Sequence, residues 1–277
     1  MNRSILGVFF FLSVILLCGV TWSSKIPEGM VDKTIRDLLY DGQEVLKYEI
    51  SWSGGIKIGE LAIEIKNESA SENIYTIHAR VKDSGIFHFF YPVNDTFDTR
   101  VSGDKRLPVE YKVEQLEGSG YQATRHTMYD QQKGIIRYQK NQNAVEEFKV
   151  AGEVHNEFSS FLFTRIIQLS KDNPVIIPTF ADKKRHEVVV KTSDTIKIEN
   201  QLLGNVDVLP VSPIMDFKGL YDKSGDTVIY LTDDVCRIPV RINSKILIGS
   251  ITAELISYKS STCLQYSTHA PETPPEQ

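Results

Sequence analysis

Alternating hydrophobic and polar residues dominate this chain from about residue 45 onward. In residues 45–52 the apolar side chains fall on one face and mostly polar side chains fall on the other. A period of two residues is typical of a β-strand with one buried face. Residues 60–65 and 75–82 repeat the pattern after short breaks. Strands joined by such short turns pair antiparallel, because a parallel return needs a long crossover. The apolar face of the first strand consists of Leu46, Tyr48, Ile50 and Trp52.

Further strand candidates follow at similar spacing along the rest of the chain. Their regular spacing and the turn residues between them predict an antiparallel meander rather than alternating strands and helices. These candidates are residues 97–101, 109–114, 121–129, 134–139, 145–150, 175–180, 187–196, 205–210, 227–232, 237–243 and 247–258.

One strong helical pattern interrupts the strands. Asn156 is a good N-cap, Glu157 favours the first helical turn, and Asn173 with the following proline stops the pattern. A weaker, shorter helix is predicted at residues 31–40. The apolar residues that recur at helical spacing in the main helix are Phe158, Phe161, Leu162, Ile166 and Leu169.

These elements predict a mostly β fold: a strongly curved antiparallel meander sheet or an incomplete β-barrel with one main α-helix. Each strand presents one apolar face, and a single long helix is too small to cover them all. The sheet must therefore close on itself or curve around something apolar. If side chains fill the enclosed space, the protein is a structural module, whereas an open space makes it a binder of lipids or other hydrophobic molecules.

The first 24 residues have the layout of a secretory signal peptide, because Arg3 is followed by a long apolar run. We therefore predict a signal peptide at residues 1–24, a single β-rich domain at 25–266 and a disordered tail at 267–277. The tail is rich in proline and glutamate and has too little apolar surface to offset the entropy of ordering it. Because a signal peptide directs export, we expect the protein to work outside the cytoplasm.

Composition narrows the classes of function. The chain has 31 basic and 36 acidic residues, a net charge of −5, and no basic stripe interleaved with aromatic residues. Nucleic acid is therefore not an expected partner. The six histidines occur without the HxH or HExxH spacing of a metal site, and no GxSxG motif is present. The sequence predicts no metal, no cofactor and no catalytic residue, but it does not exclude an enzyme whose site is assembled from several strands.

Cys236 and Cys263 remain after removal of the signal peptide, in a compartment where disulfides persist. A hairpin that turns near Ser244 would place Cys263 far from Cys236 unless the chain doubles back. The sequence leaves two possibilities open: a disulfide between the two cysteines, or two separate small apolar residues.

Residues 87–92, with the sequence FHFFYP, are too aromatic for an ordinary surface loop. They either rim an apolar cavity or fold inward to fill the core. With the first strand and the helix face, they supply the candidate ligand-binding residues. These are Trp52, Phe87, Phe89, Phe90, Tyr91, Phe158, Phe161 and Leu162.

Four blocks carry a resemblance to a known family. They are residues 45–52 with the following 59–60, residues 89–97, and above all residues 231–234 leading through 237–241 to residues 249–255. The chain resembles the exported bacterial domain-of-unknown-function family 3108. The resemblance implies a periplasmic or envelope protein of Gram-negative bacteria without an established activity. Cys236 departs from the family pattern, in which a charged residue is expected at that position.

The leading functional hypothesis is an exported periplasmic protein that binds, without catalysis, an apolar or amphipathic component of the cell envelope, such as a lipid or a lipid-linked glycan. It predicts an apolar cavity of roughly 300 Å³ or more beside the aromatic segment and the helix. The alternative is a structural or adaptor module of the envelope that binds protein partners through a sheet edge or an apolar patch.

Overall fold

The computed structural model describes residues 26–53, 55–69, 73–85, 87–215, 227–246 and 249–267. The predicted signal peptide and all but the first residue of the predicted tail lie outside these residues, and the predicted domain boundaries stay predictions. The helices are α1 (Lys33–Tyr40), α2 (Phe87–Phe90) and α3 (Glu157–Ile166). The strands are β1 (Glu44–Trp52), β2 (Ile56–Ser69), β3 (Ile74–Asp83), β4 (Asn94–Ser102), β5 (Leu107–Glu117), β6 (Tyr121–Asp130), β7 (Ile135–Lys140), β8 (Glu146–Lys149), β9 (Val175–Ala181), β10 (Lys184–Thr192), β11 (Ile196–Asn200), β12 (Gly204–Ile214), β13 (Thr227–Thr232), β14 (Pro239–Lys245) and β15 (Ser250–Ser260).

The strands form one antiparallel 15-stranded sheet, in the order β8-β7-β6-β5-β4-β3-β2-β1-β15-β14-β13-β12-β10-β9, with β11 paired to β12 beside this path. Most neighbours in the sheet are consecutive in the chain, as a meander requires. One exception is the pairing of β12 with β10. The other lies at the centre, where Glu49 of β1 pairs with Glu60 of β2 on one side and with Glu254 of β15 on the other. The first strand thus joins the two halves of the chain.

The sheet curls until its two ends meet through side chains. The rings of Phe148 on β8 and Phe180 on β9 lie 5.7 Å apart. The ammonium group of Lys183 lies 2.6 Å from Glu146 Oε1 across the same gap. Among the described strands no hydrogen-bonded ladder links β8 to β9. The predicted curved sheet or incomplete barrel with one main helix is therefore confirmed.

The main helix begins and ends for identifiable reasons. Asn156 caps it by accepting a hydrogen bond from the Ser159 N–H at 2.8 Å. The helix ends at Ile166, before the predicted Leu169, because Ile167 adopts an extended conformation and pairs with Val31. No helix in the described residues is long and apolar enough to cross a membrane.

One predicted strand was wrong in its extent. Residues 187–196 form two strands, β10 and the start of β11, separated at residues 193–195. The two strands pair with different parts of β12: Thr192 pairs with Val211, whereas Ile196 pairs with Val208. Ser193, Asp194 and Thr195 at the break are all polar, and the longer predicted strand ran across this interruption of the alternation.

A buried ion pair fixes α3 to the sheet. Arg165 donates to both carboxylate oxygens of Glu44 at 2.6 and 2.8 Å, and both side chains are almost completely buried. The Tyr258 hydroxyl donates to Glu44 at 2.8 Å. Arg165 also donates to the Arg237 carbonyl at 2.9 Å. The helix is thereby tied to β1, β15 and the β13–β14 turn.

Cys236 and Cys263 are joined by a disulfide, with their Cα atoms 6.0 Å apart. Lys245 pairs with Ser250, so β14 continues past Ser244 and the hairpin reverses beyond Lys245. This later turn brings the end of β15 towards Cys236. The chain then folds back after Ser260, where Ser267 exchanges hydrogen bonds with Ser260. The bridge links the β13–β14 turn, which contacts Arg165, to the segment that follows the sheet.

Candidate functional site

A cavity of about 430 Å³ lies between α3 and the concave face of the sheet. Its walls come from both halves of the sheet and from one face of the helix, and most of its lining is apolar. The apolar side chains of the wall include Ile50, Ile58, Leu61, Ile63 and Val81 from β1–β3, Phe158 and Phe161 from α3, and Ile177, Val188, Ile229, Ile242, Ile251 and Ala253 from the later strands.

Short side chains explain why space remains there. Ser160 and Thr164 lie on the helix face that looks into the cavity, and Ala253 lies on the opposite wall. Protein interiors are normally packed to high density, so larger residues at these positions would fill the space. At Gly59, an added Cβ would lie 2.6 Å from the Lys82 carbonyl oxygen, so this glycine lets β2 and β3 approach closely beside the cavity.

Three of the candidate ligand-binding residues line the cavity: Tyr91, Phe158 and Phe161. Phe158 also packs against Phe97 on β4, with ring centroids 4.8 Å apart. Leu162 is fully buried in the core and is not among the cavity-lining residues. It follows Phe161 directly, and consecutive helical residues point in different directions.

Among the described side chains of the aromatic segment, Tyr91 lines the cavity and Phe89 does not. Residues 87–90 form the short helix α2, and Phe89 is 84% exposed. The side chains of Phe87 and Phe90 lie outside the described part of the structure. Trp52, at the end of β1, is partly exposed and is not among the residues described as lining the cavity.

Glu157 is a cavity-lining residue that the sequence marked only as a helix-start acid. Burial raises its pKa to about 7, while Arg125 and the Tyr111 hydroxyl lower it by less. Glu157 shares one helical stripe with Ser160, Phe161 and Thr164, at spacings of three, four and seven residues. An acid on the apolar stripe of a helix was the signal that could have revealed it.

Near α2, a second acid on the cavity wall is held differently. Asp83 accepts hydrogen bonds from the Val93 N–H at 2.7 Å and lies 2.8 Å from His88 Nδ1. Burial opposes ionisation of Asp83, but these two partners outweigh it and hold its pKa below the ordinary value. Of these two cavity acids, only Glu157 has a pKa close to neutral pH.

Other ionisable groups form no metal centre in the part of the chain that the structure describes. No group of three or more His, Cys, Asp or Glu side chains is placed there to hold a metal ion. The arrangement of the described residues is instead an apolar cavity with one weakly ionised carboxyl group on its wall.

Comparison with known proteins places the chain in a family. A sequence profile of the family described as "Protein of unknown function (DUF3108)" matches residues 47–256. The chain belongs to this family. The resemblance identified from the sequence is thereby confirmed, and the match spans the strands on both sides of the cavity.

The fold also has a relative among solved structures. It is similar to the crystal structure of a beta-barrel-like protein of domain of unknown function DUF1849 from Brucella abortus, with a TM-score of 0.54 and 11% sequence identity. The match covers 80% of this chain and 99% of that chain. At this identity the likeness shows the fold alone. No curated protein matches the chain.

Proposed function

We propose that this protein is a periplasmic, non-catalytic binder of an apolar or amphipathic envelope component, such as a lipid or lipid-linked glycan, and that the apolar chain of this ligand occupies the cavity between α3 and the sheet. The cavity itself is the observation that carries the proposal. Its volume of about 430 Å³ lies within the range of small-molecule sites, roughly 300–1,000 Å³. Its lining is suited to a hydrocarbon chain, because burial of apolar surface is favourable and needs no polar partner.

The helix gives the cavity a fixed wall. Phe158 and Phe161 project from α3, whose position is set by the buried Arg165–Glu44 pair. A pre-formed site reduces the ordering cost of binding. A chain entering between the helix and the sheet would contact aromatic rings on one side and branched aliphatic side chains on the other.

Two inferences from the sequence and one structural observation support an envelope location. The chain begins with a predicted signal peptide, and it belongs to the family whose resemblance implied export. The disulfide between Cys236 and Cys263 is the third, because such bridges persist in oxidising compartments such as the bacterial periplasm.

Binding can be tested with N-phenyl-1-naphthylamine, an apolar probe whose fluorescence rises in apolar surroundings. Ala253→Phe places a large ring on the cavity wall, where Ala253 is buried. Ala62→Phe is the matched control, since Ala62 neighbours Lys47 and Arg80 on the adjacent strands, away from the cavity-lining set. We expect saturable binding by the wild type and by Ala62→Phe, and a loss of at least about tenfold in affinity for Ala253→Phe.

The opposite outcomes contradict the proposal. An absence of saturable binding by the wild type favours the adaptor hypothesis, in which the envelope partner is a protein. Equal binding by Ala253→Phe and the wild type would place the probe outside the cavity. Thermal melts of both variants by circular dichroism verify that they are folded.

A further inference from the structure

We propose that Glu157 makes the cavity selective for amphipathic ligands with a cationic or hydrogen-bond-donating polar group, such as an amine, and against anionic amphiphiles. This inference rests on the proposed function and deepens it by naming the chemistry of the ligand's polar group. It follows from the place of Glu157 on the cavity wall and from the charges that surround it.

Glu157 lies on the cavity wall at the start of α3. Glu157 is the first residue of α3 and lines the cavity with Ser160, Phe161 and Thr164. Its nearest neighbour in the chain, Phe158, also lines the cavity. The polar group therefore sits at one end of a mostly apolar wall, so an amphipathic molecule can bury its chain and place its polar group beside the carboxyl.

The groups around Glu157 leave its charge without a direct counter-ion. In the described structure, no Lys or Arg nitrogen lies within 4.0 Å of its carboxylate, unlike the buried Glu44. Arg125 on β6 attracts it, but Arg125 is hydrogen-bonded to Gln115. The other titratable or charged groups that face Glu157 or share its cavity are Tyr111 on β5, Tyr129 on β6, Asp182 in the β9–β10 turn, and Lys82 and Asp83 on β3.

Electrostatics in an apolar site then decide the preference. A carboxylate in an apolar site that lacks a counter-ion is disfavoured, and an approaching cation relieves this cost. An anionic ligand adds a like charge, so Glu157 must take up a proton before such a ligand binds. Since burial raises the pKa of Glu157 to about 7, the preference for cations should grow as the pH rises from 6 to 8.

Three probes with the same 12-carbon chain test this inference: dodecylamine, dodecanol and dodecanoate. Each is used below its solubility limit or critical micelle concentration to displace N-phenyl-1-naphthylamine at pH 6 and pH 8. At pH 8 we expect dodecylamine to bind at least about tenfold more tightly than dodecanoate, with dodecanol between them, since tenfold corresponds to about one pKa unit of differential interaction. At pH 6 the ratio should fall by several fold.

Glu157→Gln keeps the shape of the side chain and removes its charge, so it should abolish most of the preference and its pH dependence. Glu153→Gln is the matched control, because Glu153 lies four residues earlier, is exposed and pairs with Lys105 at 2.8 Å. This control should behave as the wild type. The pH series on the wild type supplies a readout that does not depend on the folding of either variant.

Failure of the proposed function and failure of the Glu157 inference give different results. If none of the three probes displaces the fluorescent probe, the proposed function itself fails. If all three bind the wild type equally at pH 8, or if Glu157→Gln retains the preference for the amine, the cavity binds apolar chains but Glu157 does not select among them.

Discussion

Arg165 on α3 and Glu44 on β1 lie 121 residues apart in the chain and form a buried two-point ion pair, with N–O distances of 2.6 and 2.8 Å. This contact holds the helix that forms one wall of the cavity against the strand at the centre of the sheet. The stability of the protein and the shape of the proposed binding site therefore depend on the same pair.

Removing the charge of one partner in this pair should lower the free energy of unfolding. Glu44→Gln leaves the Arg165 guanidinium buried without its counter-ion, and we expect a loss of about 3–5 kcal/mol in the free energy of unfolding, measured by urea denaturation. Asp194→Asn removes the partner of Lys171 in an exposed pair and serves as the control, with an expected loss below about 1 kcal/mol. Similar losses in the two variants would contradict a structural role for the buried pair.

The disulfide should contribute through the unfolded state. Cys236 and Cys263 are 27 residues apart, and closing a loop of this length stabilises a protein by about 3–4 kcal/mol in the chain-entropy model. We expect the double variant Cys236→Ser/Cys263→Ser to lose stability of this order in urea denaturation under non-reducing conditions. If a reducing agent lowers the melting temperature of the double variant as much as that of the wild type, the bridge is not the cause.

The carboxyl group of Glu157 predicts a pH dependence of stability. Burial raises its pKa from 4.5 to about 7, so the unfolded chain loses this proton at lower pH than the folded protein does. Below pH 4.5 the carboxyl group is protonated in both states and leaves the free energy of unfolding unchanged. As the pH rises to about 7, the free energy of unfolding falls by at most about 3 kcal/mol. The free energy of unfolding of Glu157→Gln should therefore rise relative to the wild type across this interval, measured by urea denaturation at pH 4.5, 6 and 7.5. A constant difference between the two proteins would exclude the raised pKa.

The buried side chain of His155 predicts that stability changes with pH in the opposite direction. Burial, with a smaller effect from Lys105, lowers the pKa of His155 to about 3, so the ring stays neutral in the folded protein. Below about pH 6.5 the unfolded chain gains a proton that the folded protein does not, and stability falls as the pH falls. We expect the ring signals of His155 in NMR spectra to stay constant between pH 5 and 8. A midpoint near pH 6.5 would show that the ring is accessible to water.

Much of the fold could be predicted from the sequence, because a sheet with one buried face leaves a period of two in the chain. The strand predicted at 227–232 matches β13, and the one predicted at 45–52 differs from β1 by a single residue. The scarcity of helices then required the sheet to curve. These inferences succeeded because they depend on local patterns and on a simple balance of apolar surface.

The candidate site was only partly predictable, because long-range contacts decide it. Phe158 and Phe161 were identified from helical spacing, but nothing near Arg165 in the sequence indicates that Glu44 would bury its charge. The end of α3 depends on Val31, which pairs with Ile167 from more than a hundred residues away. Such contacts leave no periodic signal in a single sequence.

The most direct test of the central claim is to locate an apolar chain in the protein. A crystal grown with 12-bromododecanol would show the heavy atom by its anomalous signal. The account predicts a bromine peak in the cavity between α3 and the sheet, near Phe158, Phe161 and Ala253, which is lost in Ala253→Phe. Bromine peaks confined to the outer face of the sheet, or a cavity without the chain at saturating probe, would contradict it.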